Sequence, residues 1–218
     1  MSLENNNEFV LLIMNCEKYQ WKAQLQKESW LKNLPSFITY YHVLGNTNLE
    51  TEYHFVHDSN LLYVKTEDDY NSLPKKVIAS YQTIYQNFPN LKYIFKTDDD
   101  QMLTNPKFFE IIKNIILSRN PKVHYGGFPV NILNPQLSSY YLIHPELPQN
   151  IVLQKTVYCN GRFYLLSKEA IENLITKRKE IEKEYFEDYA IGYNLDPSFK
   201  DTLLPINSKL YFQDQDTS

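Results

Sequence analysis

The sequence is poor in the features that most quickly assign a class. It has 5 glycines and 2 cysteines in 218 residues. Cys16 and Cys159 supply neither a disulfide framework nor the paired spacing of a zinc site, so the chain is expected to suit a reducing compartment or to be indifferent to redox state. The five histidines show no i,i+4 pairing and no H-E-x-x-H pattern, which argues against helix-borne zinc chemistry. The longest apolar run, Phe9–Met14, falls far short of the ~20 residues of a membrane span. Met1–Asn7 has no basic flank leading into an apolar stretch, so no signal peptide is visible. The expected localisation is cytoplasmic, or a Golgi-type lumen where an N-terminal anchor precedes this sequence. Positive charge is also short: 22 Lys and Arg stand against 26 Asp and Glu, for a net charge of −4. Nucleic-acid binding, which needs a basic patch, is therefore not expected. An anionic partner would have to be held by a metal ion or by a few placed cations.

What is present is ordinary for a globular chain, with 43% hydrophobic residues, 18 tyrosines and 12 phenylalanines. At this length a core forms without staples, burying on the order of 70% of the unfolded surface. Apolar runs alternate with helical spacings. Phe9–Met14 reads as a buried strand, and Trp21, Leu25, Leu31 and Leu34 recur loosely at helical spacing up to Pro35. Ile38–Leu44 reads as a strand ending at a Gly45-Asn46 turn, and Glu52–Val56 and Leu61–Val64 as short strands. Val77, Tyr81, Ile84, Tyr85 and Phe88 mark an amphipathic helix from Pro74, closed by Pro89-Asn90. Tyr93–Thr97 is the next strand. Asn105 as N-cap and Pro106 at the first helical position then open a helix to about Leu117.

The second half is less regular. It offers a Gly126-Gly127 turn, a Tyr/Leu-rich Leu137–Ile143 stretch read as a core strand or an acceptor groove, and strands at Ile151–Tyr158 and Phe163–Leu166. A helix starts at Ser167, with Leu166 and Ile171 at staple positions. The alternation predicts an α/β fold with a mainly parallel central sheet and helices on both faces. With no repeat and no linker, residues 1–218 are expected to form a single domain. Trp21 and Trp30 are read as core or first-helix packing rather than a sugar-stacking platform, Cys159 as a packed thiol and Lys177-Arg-Lys179 as a solvated helix end.

Two acidic clusters stand out. Lys92-Tyr-Ile-Phe-Lys-Thr-Asp-Asp-Asp100 runs an apolar strand straight into three carboxylates. In an open α/β sheet, ligands bind beyond the carboxyl ends of strands. Asp98 and Asp100, at alternate positions, can share one hard divalent cation that bridges to substrate phosphates. A solvated acidic turn is the competing reading. An EF-hand loop is excluded, because its sixth and twelfth positions would be Leu103 and Phe109. The second cluster is Glu187-Asp188, set among Phe186, Tyr189 and Ile191. A carboxylate desolvated in such company suits general-base duty; acidic residues stabilising a helix N-terminus are the alternative.

Taken in order, five stretches make the chain similar to the β-1,3-glycosyltransferases of the galactosyltransferase/N-acetylglucosaminyltransferase type, which are relatives of Fringe. Trp21-Lys-Ala-Gln-Leu-Gln-Lys-Glu-Ser-Trp30 resembles R-x-x-x-R-x-T-W, with Lys27 for the second arginine. Asp68-Asp-Tyr-Asn-Ser-Leu-Pro-Lys-Lys76 resembles D-S-Y-x-N-L-T-x-K. Lys92–Asp100 followed by Asn105 resembles K-Y-x-x-K-x-D-D-D-x-F-x-N, and Tyr158-Cys-Asn-Gly-Arg-Phe-Tyr-Leu-Leu-Ser167 resembles Y-C-x-G-x-x-Y-x-x-S. Glu187-Asp-Tyr-Ala-Ile-Gly192 resembles E-D-V-x-x-G, with Tyr189 for valine.

The resemblance implies a GT-A-type fold, a UDP-sugar donor, a glycan or glycoconjugate acceptor, Mn²⁺ or Mg²⁺, and inversion to a β-linkage. It implies Asp100 as main metal ligand, supported by Asp98. Asp68, Lys76, Lys96, Asp98, Asp99 and Gly161 are expected at the donor. Asp188 and Glu187 are expected as the catalytic pair, with Asp188 as the base. No histidine follows His144, so the C-terminal histidine that completes the metal site of many GT-A enzymes has no counterpart. Two other readings use the same residues: a retaining transferase or nucleotidyltransferase, and a catalytically silent carbohydrate-binding scaffold.

Overall fold

The computed structural model describes residues 8–215; the Met1–Asn7 segment read for a targeting signal lies outside them. The run Phe9–Met14 is strand β1, buried along its whole length, as expected of a strand with parallel neighbours on both sides. Its side chains alternate between two layers. Val10, Leu12 and Met14 join one apolar cluster, and Phe9, Leu11 and Ile13 join the other.

The first half continues with α1 (Gln20–Glu28), β2 (Ile38–Gly45), β3 (Tyr53–Val56), β4 (Leu61–Val64), α2 (Leu73–Asn87), β5 (Tyr93–Asp98), β6 (Gln101–Leu103) and α3 (Phe108–Ser118). The second half holds β7 (Tyr125–Ile132), β8 (Gln136–Leu137), β9 (Val152–Leu153), the long β10 (Thr156–Ser167), α4 (Lys168–Thr176), α5 (Arg178–Ile181) and α6 (Glu187–Asn194). Last come α7 (Pro197–Lys200), β11 (Leu204–Pro205) and β12 (Phe212–Asp214).

The main sheet has the order β11-β7-β10-β5-β1-β2-β4-β3. β5, β1, β2 and β4 are parallel neighbours, while β10 runs antiparallel between β5 and β7. Helices α2, α4 and α6 cover one face, and α3 with Trp30 and Leu31 covers the other. This is the α/β architecture the alternation of runs predicts. The four parallel strands put the ends of β1, β2, β4 and β5 on one edge, where an α/β sheet binds its ligands.

Several local expectations are corrected. Gly126 and Gly127 make no turn; they lie inside β7, between β10 and β11. A Cβ on Gly127 would sit 2.7 Å from the Cys159 Cβ and 2.9 Å from the Phe163 carbonyl oxygen, so close strand packing is what requires glycine. Leu137–Ile143 is not a core strand: Leu142 is 71% exposed and Ile143 69%. Of the two tryptophans expected in core or first-helix packing, Trp30 is buried and Trp21 is 52% exposed. Helix α3 starts at Phe108 because Asn105 caps a turn ahead of it, accepting the Lys107 N–H at 3.0 Å on its side chain. Lys177 and Arg178 are not simply solvated: Lys177 pairs with Asp196, and Arg178 with Glu182 and Gln82. Ser167 does cap α4, accepting the Ala170 N–H.

Helix α6 is pressed onto β10 at Gly192, where a Cβ would lie 2.2 Å from the Tyr158 Cβ and 2.6 Å from its Cα. Backbone cannot yield there as a flexible side chain would. Gly192→Ala is therefore expected to destabilise by about 2 kcal/mol or more, despite the better helix propensity of alanine. A thermal melt should record a drop of about 4–8 °C, and an unchanged melting temperature would contradict this packing.

Candidate active site

At the edge where the parallel strands end, a cleft of about 610 Å³ opens between the Asp98–Asp100 turn and the start of α6. Both acidic clusters line it, together with Lys22, Tyr70, Gly161 and Arg162.

Lys96 joins the two sides. It lies on β5 with Ile94, facing the α2/α6 layer, and its side chain is 1% exposed. Its ammonium contacts Asp98 Oδ1 at 2.7 Å, Glu187 Oε2 at 2.8 Å and the Gly161 carbonyl at 3.0 Å. All three hydrogens are thus committed inside the protein, and Lys96, expected at the donor, reaches it only through Asp98. Burial works against this ammonium, but pairing with Asp98 and Glu187 prevails and raises its pKa. Glu187 also accepts the Tyr164 hydroxyl, which lies 2.5 Å from that of Tyr81. Lys96→Met leaves the buried Glu187 and the partly exposed Asp98 without their cation. It is expected to cost about 3–5 kcal/mol, read as a shift of the urea midpoint; a loss below 1 kcal/mol would show that the carboxylates are compensated elsewhere.

Glu187 and Asp188 occupy the first turn of α6; Glu187 is buried and bonded to Lys96 and Tyr164, so of the expected catalytic pair only the half-buried Asp188 keeps its carboxylate towards the cleft. Asp188 Oδ2 accepts the Gly161 N–H at 2.9 Å, and Oδ1 accepts the Tyr189 N–H at 2.7 Å. Burial raises the Asp188 pKa, while Lys96 and these two N–H groups oppose the rise. Gly161 is not sterically forced, since an added Cβ would meet its neighbours at 3.4 Å and beyond. Its backbone supplies one N–H to Asp188 and one carbonyl to Lys96.

In the acidic turn, burial pushes Asp98 up to about 6, with Lys96 opposing and Glu187 and Asp100 adding repulsion. Asp99, whose nearest cation is Lys22 at 3.8 Å, is pushed to about 7 for the same reason. Asp100 alone of the three has no ion-pair partner among the described residues, and accepts only the Gln101 side-chain N–H at 2.8 Å. Among the described residues no three His, Cys, Asp or Glu side chains form a ready-made metal cage. The donor set nonetheless fits a hard divalent cation. It is all oxygen, it is crowded with like charge, and Mg²⁺-type ions are held by one or two carboxylates plus substrate phosphates. Asp100 and Asp98 are the residues available for it.

Asp68 and Lys76, expected at the nucleotide, brace the strand ends instead of projecting freely. Asp68 accepts the Gly45 N–H, the Glu17 N–H and the Lys76 ammonium, each at 2.8 Å, and Lys76 also donates to the Asn15 carbonyl. Asp68 is shared with a second cleft of about 560 Å³, whose lining includes Gln20, Asn46, Asn48 and Tyr63. On the opposite flank the main cleft has an aromatic wall. Tyr70 and Tyr140 each stack on His144, at 4.2 and 5.3 Å, and Phe186 meets Tyr140 edge-on.

Sequence reasoning missed Gln26, Arg162 and Gln215. Arg162 ties the turn to the C-terminal strand through Gln101 and Asp214. Gln26 had a faint signal: it shares the buried face of α1 with Ala23, where an apolar residue is the norm.

The family model described as Galactosyltransferase matches residues 22–198. UDP-GalNAc:beta-1,3-N-acetylgalactosaminyltransferase 1 of Sus scrofa and that of Homo sapiens are each 24% identical over 164 residues, covering 71% of this chain and 47% of the relative. The chain thus spans about half the length of the curated relatives it matches. Among solved structures, galactosyltransferase LgtC in complex with donor and acceptor sugar analogues aligns with a TM-score of 0.48 at 11% identity, covering 92% of this chain and 74% of that one. A glycosyltransferase involved in glycosylation of the major capsid of PBCV-1 aligns with a TM-score of 0.45 at 14% identity, covering 92% and 82%.

Proposed function

This chain belongs to the galactosyltransferase family, and from that premise we propose that residues 1–218 form one GT-A-type domain that transfers a sugar, with inversion, from a UDP-sugar to a hydroxyl of a glycan or glycoconjugate. The observation that supports the reading is that Asp188 and the Asp98–Asp100 turn line one cleft, which leaves Asp188 for the acceptor and the acidic turn for the diphosphate. Mn²⁺ or Mg²⁺, when bound by Asp100 with Asp98, supplies the positive charge on the leaving diphosphate that the chain itself lacks.

The chain's own residues do the rest. Asp98 and Asp99 line the donor side, with Lys96 fixing Asp98 from below. Asp68 and Lys76 shape the nucleotide end by holding the ends of β1 and β2. The aromatic wall of Tyr70, Tyr140 and His144 offers a stacking face to the acceptor sugar. Asp188, steadied by the Gly161 N–H, takes the acceptor hydroxyl's proton. The new C1–O bond forms opposite the breaking one, and the diphosphate leaves with the electron pair of the C1–O bond to phosphate. A desolvated carboxylate with a raised pKa is the right kind of base for this step. Glu187 is a positioning residue: it anchors Lys96 and holds the first turn of α6.

The relatives' names make UDP-GalNAc the first donor to try. The test is calorimetric titration of UDP with and without Mn²⁺, followed by NMR of the product's anomeric configuration. Metal-dependent binding and a β-product from an α-linked donor are expected. Retention would favour a double-displacement or related transferase, and absence of metal-dependent binding a silent scaffold.

A further inference from the structure

The acidic turn points its carboxylates into the cleft and its carbonyls into the protein, and each of the four carbonyls from Asp98 to Gln101 meets a donor. Gln26 Nε2 donates to the Asp98 carbonyl at 3.1 Å and to the Gln101 carbonyl at 2.7 Å. Gln215 donates from its side chain to the Asp99 carbonyl at 2.9 Å and from its backbone to the Asp100 carbonyl at 2.7 Å. The Asp99 N–H is bonded to the Met14 carbonyl at the end of β1.

Gln26 is fully buried. Because both hydrogens of its amide nitrogen are used on carbonyls, its oxygen must face His42, whose Nε2 lies 3.0 Å away. An amide oxygen only accepts, so His42 Nε2 carries the hydrogen. His42 is buried on β2, and its Nδ1 has no partner among the described residues. A buried ring with one unsatisfied nitrogen is a poor choice for stability alone. It is explained if the useful hydrogen bond is the one that orients Gln26. The clamp is also neutral. A carboxylate at position 26 would add to the repulsion among Asp98, Asp99 and Asp100, while a lysine would neutralise the turn from inside and compete with any external cation.

We propose that Gln26, oriented by His42, is a positioning residue that presets the Asp98–Asp100 turn for a divalent cation and a diphosphate without touching either. This rests on the function proposed above. The test compares wild type with Gln26→Met, which keeps the side chain's length and removes its hydrogen bonds, and with His42→Phe, which keeps a ring and removes only the orienting donor. Mn²⁺ affinity in the presence of UDP is read from the free-ion EPR signal. Melting is followed in parallel, and kcat and donor KM are measured at saturating Mn²⁺.

Partners behind metal ligands are typically worth about 10–100-fold in metal affinity. Folded Gln26→Met is expected to weaken Mn²⁺ binding in that range and raise donor KM, with kcat within about 3-fold of wild type. His42→Phe is expected to shift affinity the same way by less, with melting unchanged or raised. Wild-type Mn²⁺ affinity in folded Gln26→Met overturns the proposal; if that variant does not fold, wild-type affinity in His42→Phe does so. A wild-type chain that binds no Mn²⁺ with UDP overturns the reading of the site and the positioning role with it, whereas unchanged variants beside a binding wild type overturn the positioning role alone.

Discussion

Asp188→Asn is expected to lower transfer by about 10²–10⁴-fold, the usual contribution of a general base, while Mn²⁺-dependent UDP binding stays near wild type. The substitution is close to isosteric. The asparagine oxygen can still accept the Gly161 N–H that now binds Asp188 Oδ2 at 2.9 Å, but its amide nitrogen would face the Tyr189 N–H that Oδ1 accepts at 2.7 Å, so a parallel melt is needed to show that α6 keeps its place. What disappears is the lone carboxylate charge that takes the acceptor's proton. The pH dependence has a definite sign. Burial raises the Asp188 pKa, and the base works only when deprotonated, so wild-type kcat/KM should fall as pH falls through that raised value. The variant should lack this acid limb. Turnover of Asp188→Asn within 10-fold of wild type, or an unchanged pH profile, would remove Asp188 from the base role. Loss of UDP binding together with activity would instead mark it as part of the donor site.

What could be read in advance divides along a physical line. Phe9–Met14 was legible because burial on both faces leaves a continuous apolar run, a property of the strand alone. The acidic turn was legible because strand and carboxylates are adjacent in sequence. Gly126-Gly127 was misread because a glycine pair in a turn and one under crossing strands look identical until Cys159 and Phe163 are brought against them. Leu137–Ile143 was misread because composition fixes strand preference more readily than exposure, and its Leu and Ile side chains face outward. Gln26 escaped because its partners lie 72 and 75 residues away, and a glutamine in a helix carries no mark of what it will hold. The motif residues had the converse problem. Asp68, Lys76 and Lys96 stand in the stretches that carry the resemblance, and all three are spent on internal bonds. Their presence in a motif therefore signals the shape of the cleft as much as contact with a ligand.

Asp100→Asn should separate the use of the acidic turn from its stability. Asp100 is the one carboxylate of the three without an ion pair among the described residues, and an asparagine keeps the Gln101 hydrogen bond made by its Oδ1. Loss of a charged ligand should cost more than loss of a partner behind one, so Mn²⁺ affinity with UDP should fall at least about 100-fold. With the metal's stabilisation of the diphosphate gone, kcat/KM should fall by about 10³-fold. The metal-free protein should move the other way. Asp98 is held at about 6 and Asp99 at about 7 instead of the usual 3.8, with Asp100 among the causes of both. Carboxyls raised in the folded state bind protons more tightly there than in the unfolded chain. The metal-free wild type should thus lose stability as pH rises from about 4 through about 7. Asp100→Asn removes one repelling charge, so it should lose less over that window and melt higher at neutral pH. A variant that gains stability while losing the metal is what a turn crowded with like charge for binding produces. A purely solvated acidic turn would show neither change, and paired melts at pH 5 and pH 7.5 with and without Mn²⁺ distinguish the two.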